Sequence, residues 1–153
     1  MAPKPGHHRL RRGRRSIPDH AYLITATAYN RKPVFTHPGA AISVLNSLSW
    51  LEASGAMALE ACVVMPDHVH AIMYLGNIPL TKLMRSFKGY TGSRISQLVG
   101  SGGPIWQPAY HDHALRREES LRDAVAYCLN NPVRAGLVED FRAYPYWYCR
   151  YDV

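Results

Sequence analysis

The stretch Val63-Val64-Met65-Pro66-Asp67-His68-Val69-His70-Ala71-Ile72-Met73 places two histidines, one valine apart, inside an apolar run rich in β-forming residues. In a strand, residues i and i+2 share a face, so His68 and His70 present their imidazoles side by side while Val69 points into a core. Imidazole is the commonest protein ligand for metals, and two on one rigid strand make half a coordination sphere. An isolated His-x-His pair has an ordinary alternative, two hydrogen-bonded histidines on a polar sheet face. What the rest of the chain supplies distinguishes them. Pro66-Asp67 interrupts the run for two residues, which predicts an antiparallel neighbour or a bulge that aims the histidines.

Upstream, Tyr22 to Tyr29 is a run of β-formers and predicts a first strand, followed by a turn at Asn30-Arg31-Lys32-Pro33. After Pro38, Ala41, Val44, Leu45, Leu48 and Leu51 recur at helical spacing, and Ser54-Gly55 closes that helix. Leu59 to Met65 forms a second strand and His68 to Leu75 a third. Asn77-Ile78-Pro79 opens a second helix with Leu80, Leu83, Met84 and Phe87 on its apolar face. Beyond a loop at Gly100 to Pro104, Ile105 to Leu115 predicts a fourth extended segment. A helix over Leu121–Asn130 must end near Asn131 because Pro132 follows. The order β-α-β-β-α-β-α predicts an α+β fold, the ferredoxin-like split βαβ arrangement. Its antiparallel sheet is backed by helices, with one additional C-terminal helix that carries Tyr127.

At 153 residues, with 47% hydrophobic and 19% charged side chains, the chain holds one globular domain. No apolar run approaches the roughly 20 residues of a membrane span, and the basic start lacks the apolar core of a secretion signal. Cys62, Cys128 and Cys149 fit neither a disulfide framework nor a Cys-x-x-Cys zinc site, so a reducing cytoplasm is the expected setting. The net charge of +7 is unevenly spread. Lys4, Arg9, Arg11, Arg12, Arg14 and Arg15 all precede the first acidic residue, Asp19, while the remaining 12 basic and 11 acidic residues nearly cancel. Residues 1–18 thus predict an extended basic arm, either a solubilising tail or an electrostatic footprint for nucleic acid, and residues 19–153 a single folded domain.

Tyr127 and Asn131 stand four apart, hence on one helix face. Each has a structural alternative, a core aromatic and a helix C-cap. If that face packs over the histidine strand, however, two imidazoles, an amide oxygen and a phenol converge around open metal positions. Phosphate contacts are expected from Arg9, Arg11, Arg12, Arg14 and Arg15, from Arg31 and Lys32, and from Lys82, Arg85 and Lys88 on the second helix. Trp106 and Tyr110 are candidates for base stacking or for core packing. Tyr90 is a rival nucleophile, but it has no plausible ligand four residues away. A zinc hydrolase built on His68, His70, His111 and His113 is a competing reading that leaves Tyr127 and Asn131 without roles. A non-catalytic nucleic-acid binder that uses the basic arm is another.

The chain resembles the REP-associated tyrosine transposases, single-tyrosine members of the HUH superfamily. Four pieces carry the resemblance in the family's order. They are His8-Arg9-Leu10-Arg11-Arg12-Gly13-Arg14, Val64-Met65-Pro66-Asp67-His68-Val69-His70, Ile105-Trp106-Gln107-Pro108 and Asn131-Pro132-Val133-Arg134-Ala135-Gly136-Leu137-Val138. The family often has Asn where Asp67 stands. By position, the resemblance implies Tyr127 as nucleophile, with His68, His70 and Asn131 as ligands of a divalent metal, Mg²⁺ or Mn²⁺. It further implies single-stranded or hairpin DNA (REP-like palindromes) as partner, cleaved through a 5′-phosphotyrosine link in the bacterial cytoplasm. Related insertion-sequence enzymes swap the tyrosine helix between subunits; here the short connection before Leu121 favours a monomer with Tyr127 acting in cis.

Overall fold

The computed structural model describes residues 20–116 and 118–153. The predicted basic arm, with Arg9, Arg11, Arg12, Arg14 and Arg15, lies outside them. The elements are β1 (Ala21–Thr27), α1 (Pro38–Ala53), β2 (Met57–Val64), β3 (His68–Leu75), α2 (Leu80–Val99), β4 (His111–Leu115), α3 (Glu118–Leu129), α4 (Asn131–Arg134) and β5 (Trp147–Cys149). They form one five-stranded sheet of order β4-β1-β3-β2-β5, antiparallel at every pairing. The first four positions, β4-β1-β3-β2, are those of the split βαβ unit expected from the element order.

Strand alternation divides the apolar residues between two layers. Tyr22, Ile24 and Ala26 of β1, with Val69, Ala71 and Met73 of β3, pack beneath α1 and α2 through Val44, Leu48, Leu83 and Phe87. The opposite face, with Ala61 and Val63 of β2 and Ile72 of β3, is covered by Ala124, Val125, Cys128 and Leu129 of α3. His68 and His70 are in phase with Ile72, so they lie on the α3 side. Pro66-Asp67 is a tight connection between antiparallel neighbours, closed by the Met65 N–H donating to the His68 carbonyl at 2.8 Å. The bulge lies instead in β2, between Leu59 and Ala61.

Two parts of the fold depart from the sequence reading. The fourth strand starts at His111 and not at Ile105, because Pro104 and Pro108 cannot donate to a ladder. Trp106 makes only an isolated bridge to Ala28. Its ring packs 5.1 Å from Phe35 and 5.4 Å from Phe87, and its indole N–H donates to Thr91 Oγ1 at 2.9 Å. Trp106 is therefore core and not a stacking platform.

The second departure is β5, which adds a fifth strand along β2. It brings Arg150 to the bulge, where the guanidinium reaches Glu52 and, at 3.2 Å, the carboxylate of Glu60. Tyr151 donates its hydroxyl to the same carboxylate. Glu60 is buried, so its charge depends on these partners. Replacing Arg150 with alanine is expected to lower stability by about 2 kcal/mol in chemical denaturation. Adding Glu60→Gln in the same chain is expected to recover part of that loss.

Candidate active site

The site is built on the end of β3 nearest the Pro66-Asp67 turn. His68 and His70 stand opposite Thr27 and Thr25 of β1. Their ring centroids are 4.8 Å apart at 81°. Each ring is held by its Nδ1 atom. His68 Nδ1 lies 2.7 Å from Asp67 Oδ1, and because a carboxylate only accepts, this nitrogen carries the hydrogen. His70 Nδ1 lies 2.9 Å from the hydroxyl of Thr25. Both Nε2 atoms are left for a ligand; both rings are oriented from behind, and the Asp67 carboxylate also sets the tautomer of His68, in the manner of carboxylate–histidine–metal triads.

Asp67 is itself held. Arg31 Nε donates to Asp67 Oδ2 at 3.1 Å, and Arg31 Nη2 approaches the same oxygen at 3.1 Å. Partial burial opposes ionisation of Asp67, but the His68 hydrogen bond and the charges of His68 and Arg31 outweigh it and hold the carboxyl below its usual range. Asn30 and Arg31 adopt left-handed backbone, at φ 54° and 52°, which costs energy for residues other than glycine. The turn that contains them clasps the β2–β3 connection: Ala28 N–H donates to the Asp67 carbonyl and Phe35 N–H to that of Pro66. Arg31 was expected to meet phosphate; here its guanidinium orients the His68 partner.

Burial, reinforced by the charges of His68 and Arg134, lowers the pKa of His70 from the ordinary 6.5 to about 4. In the unfolded chain His70 takes up a proton near pH 6.5, whereas in the folded chain it does so only near pH 4. The folded state is thus favoured above pH 6.5, and that contribution is lost as pH falls toward 4. The contribution is on the order of 3 kcal/mol. Urea titrations of the metal-free protein at pH 7, 5.5 and 4 are expected to show this decline, and His70→Gln to flatten it.

Helix α3 lies over this strand, with Cys128 Sγ 3.9 Å from the His70 carbonyl. Burial raises the Cys128 thiol well above its ordinary range and pushes Cys62 up to about 12, so neither is a nucleophile. Tyr127, beside Cys128, is 56% exposed. Its hydroxyl is available to a substrate, and the alternative of a core aromatic fails. Tyr90 is also exposed, but it belongs to α2 and lines a groove with Trp50 of α1, in the layer on the other side of the sheet from the histidines.

Asn131 sits where the helix breaks. Helix α3 ends at Leu129, and α4 starts at Asn131 with Pro132 in its first turn, the position proline favours. Asn131 is therefore not a C-cap of one continuous helix but the first residue of the next. The Asn130 N–H still reaches the Ala126 carbonyl at 3.0 Å, so the helical path is carried across the break. The Asn131 Nδ2 atom is buried without a hydrogen-bond partner. A buried orphan amide is costly, and a half-turn about its last bond presents the oxygen in its place. Two Nε2 corners and an unsatisfied amide fit a hard divalent cation that keeps open positions.

The four-histidine alternative does not assemble. His111 and His113 lie on β4, opposite Thr25 and Leu23, so the whole of β1 separates them from β3. Among the described residues, no three His, Cys, Asp or Glu side chains are grouped to hold a metal ion. Of the expected phosphate contacts, Lys32, Lys82 and Arg85 are exposed. Lys88 is not free for that purpose: its ammonium donates to the carbonyls of Gln107 at 2.7 Å and Ala109 at 2.9 Å. Tyr110 is half-buried, with the Lys88 ammonium 5.6 Å from its ring centroid.

The partners Thr25 and Asp67 escaped the sequence reading, as did Arg134. Its guanidinium carbon lies 3.6 Å from the Tyr127 ring centroid, and its Nη2 donates to the Tyr127 carbonyl at 2.7 Å. Asp67 adjoins the histidine motif and was visible as a departure from the family's Asn. Thr25 and Arg134 carried no signal without the register of β1 and the fold-back of α4.

Residues 16–131 match the family model described as Transposase IS200 like, and the chain belongs to that family. Among its relatives are REP-associated tyrosine transposases. One from Escherichia coli K12 is 31% identical over 90 residues, 58% of this chain and 52% of its own length. A Haemophilus influenzae relative carrying the same family description is 27% identical over 100 residues, 56% of this chain and 55% of its own. The chain thus spans about half the length of the curated relatives it matches. The solved structure of a REP-associated tyrosine transposase bound to a REP hairpin superposes with a TM-score of 0.71 at 24% identity, over 88% of this chain and 79% of that one. That likeness is one of fold. Among the described residues, no helix is long and apolar enough to cross a membrane.

Proposed function

We propose that this chain is a metal-dependent, single-tyrosine DNA strand transferase acting on hairpin DNA of the REP type. The observation that carries the proposal is the paired hold on His68 and His70. With both Nδ1 atoms engaged, both Nε2 atoms are left for a ligand on the sheet face that α3 covers, and the same helical segment carries an exposed tyrosine and, at Asn131, a buried amide with no partner.

His68, His70 and Asn131 would hold Mg²⁺ or Mn²⁺, which when bound supplies a Lewis acid for a phosphate oxygen. Tyr127 supplies the nucleophile. Its Oη forms a bond to phosphorus as the bond to the 3′ oxygen breaks. The phenolic proton passes to water, and the 3′ oxygen leaves as a hydroxyl after taking a proton from water. The 5′-phosphotyrosine keeps the phosphodiester energy, so attack by another 3′-hydroxyl rejoins strands without ATP. Substrate affinity comes from Lys32, Lys82 and Arg85 together with the arm arginines, and falls with salt. Because α3 lies over the strands of its own chain, Tyr127 acts in cis and a monomer suffices.

The test is a cleavage assay with labelled single-stranded hairpins and Mn²⁺, read on a denaturing gel. A covalent protein–DNA adduct that disappears with chelator is the expected result. Tight hairpin binding without adduct under either metal replaces this proposal with a non-catalytic binder.

A further inference from the structure

Helix α3 ends two residues after Tyr127, and its last turn carries no basic residue. The carboxyl end of a helix is the negative end of its dipole. A tyrosine oxygen that attacks phosphate there develops charge in an unfavourable field, next to a dianionic transition state. The chain answers with a cation brought back from beyond the helix. The single turn of α4, which contains Pro132, is closed at Gly136, whose φ of 76° lets the Gly136 N–H donate to the Val133 carbonyl and the Leu137 N–H to that of Pro132. This fold-back sets the Arg134 guanidinium over the Tyr127 ring, its carbon 3.6 Å from the centroid, and one N–H of the guanidinium caps the Tyr127 carbonyl at 2.7 Å. Arg134 is otherwise exposed. The guanidinium has five N–H donors, and a single bond to a carbonyl leaves the rest of the fork for an anion.

We propose that Arg134 is a catalytic residue of the strand-transfer reaction, fixing the Tyr127 ring from one side and donating to a non-bridging oxygen of the scissile phosphate from the other. This rests on the strand-transferase reading above. The phosphate attacked by Tyr127 must lie within bonding reach of its Oη, and Arg134 is held against that ring. During the step the Oη–phosphorus bond forms and the phosphorus–O3′ bond breaks; Arg134 acts only as a hydrogen-bond donor and gives up no proton. Stacking on the ring limits where Oη can go, and the fork matches the geometry of a phosphate edge.

The experiment measures single-turnover adduct formation at saturating hairpin for wild type, Arg134→Met and Arg134→Lys, with hairpin affinity and thermal melting measured alongside. Methionine keeps the length of the stem without the donors. It is expected to slow adduct formation about 10²-fold, as loss of a transition-state donor does, while hairpin affinity changes less than about threefold. Lysine keeps the charge but not the flat fork and is expected to recover part of the rate. A purely structural Arg134 would lower the melting temperature without this split between rate and affinity. Wild-type rates in a folded Arg134→Met protein overturn the proposal. Equal losses in rate and affinity also overturn it, since they make Arg134 a general DNA contact. A wild-type chain that forms no adduct at all is a different failure, that of the strand-transferase reading itself, and Arg134 falls with it. An independent readout exists in the free protein: the Arg134 side-chain NMR resonances are expected to carry a ring-current shift that Tyr127→Leu removes.

Discussion

Replacing Tyr127 with phenylalanine is expected to reduce covalent adduct formation at least about 10³-fold, to the background of the assay, while hairpin binding is retained. The substitution removes one oxygen atom from a side chain that is 56% exposed and packs mainly against the guanidinium of Arg134. No buried hydrogen bond of Tyr127 is lost, so the melting temperature is expected to move by no more than a few degrees. That makes Tyr127→Phe a clean separation of chemistry from folding. Free cleaved strands that persist in the variant would point to an activated water as nucleophile and would falsify the tyrosine mechanism. The buried thiols cannot substitute for Tyr127, because burial raises Cys62 and Cys128 and keeps them protonated at neutral pH.

Replacing His68 with alanine is expected to remove measurable Mn²⁺ binding and to cost a similar factor in adduct formation. A two-imidazole site that loses one imidazole keeps too few ligands to hold a hard cation against water. Asp67→Ala is expected to be milder in a diagnostic way. The carboxylate does not face the ligand; it accepts from His68 Nδ1 at 2.7 Å and is gripped by Arg31. Partners of that kind typically set metal affinity by 10- to 100-fold. Mn²⁺ titration by calorimetry, on the protein without DNA, measures both effects apart from catalysis. Asp67→Asn restores the residue often found in relatives. An amide oxygen can still accept from His68, so the affinity is expected to fall between wild type and Asp67→Ala. If Asp67→Ala binds Mn²⁺ as wild type does, the carboxylate serves only the turn that Arg31 clasps.

The histidine strand shows how far sequence reaches. The alternation of β3 was legible because burial on one face and ligands on the other impose period two, and the observed strand begins at His68 and ends at Leu75 as expected. Tyr127 and Asn131 were legible as a pair because helical geometry is local. Proline placement marked the break that follows α3, although not that Asn131 opens a new turn. Residues near in sequence are joined by short-range rules, and those rules can be read directly.

The parts that escaped depend on chain segments far apart. Thr25 is 45 residues from His70, and Arg31 is 36 from Asp67. Only the register of β1 against β3, and the left-handed turn after it, bring them together. Arg150 reaches Glu60 across 90 residues through an edge strand too short to show a pattern of its own. The same limit explains Lys88, which sits at a phosphate-facing helical phase in the sequence but is spent on the carbonyls of the loop before β4. By itself the sequence determined which residues could carry this chemistry, since side-chain identity and local periodicity are written in it. The tertiary structure alone decided which nitrogen of each histidine is free, which charges are already paired and where Arg134 comes to rest, because those depend on distances that close only when the chain packs.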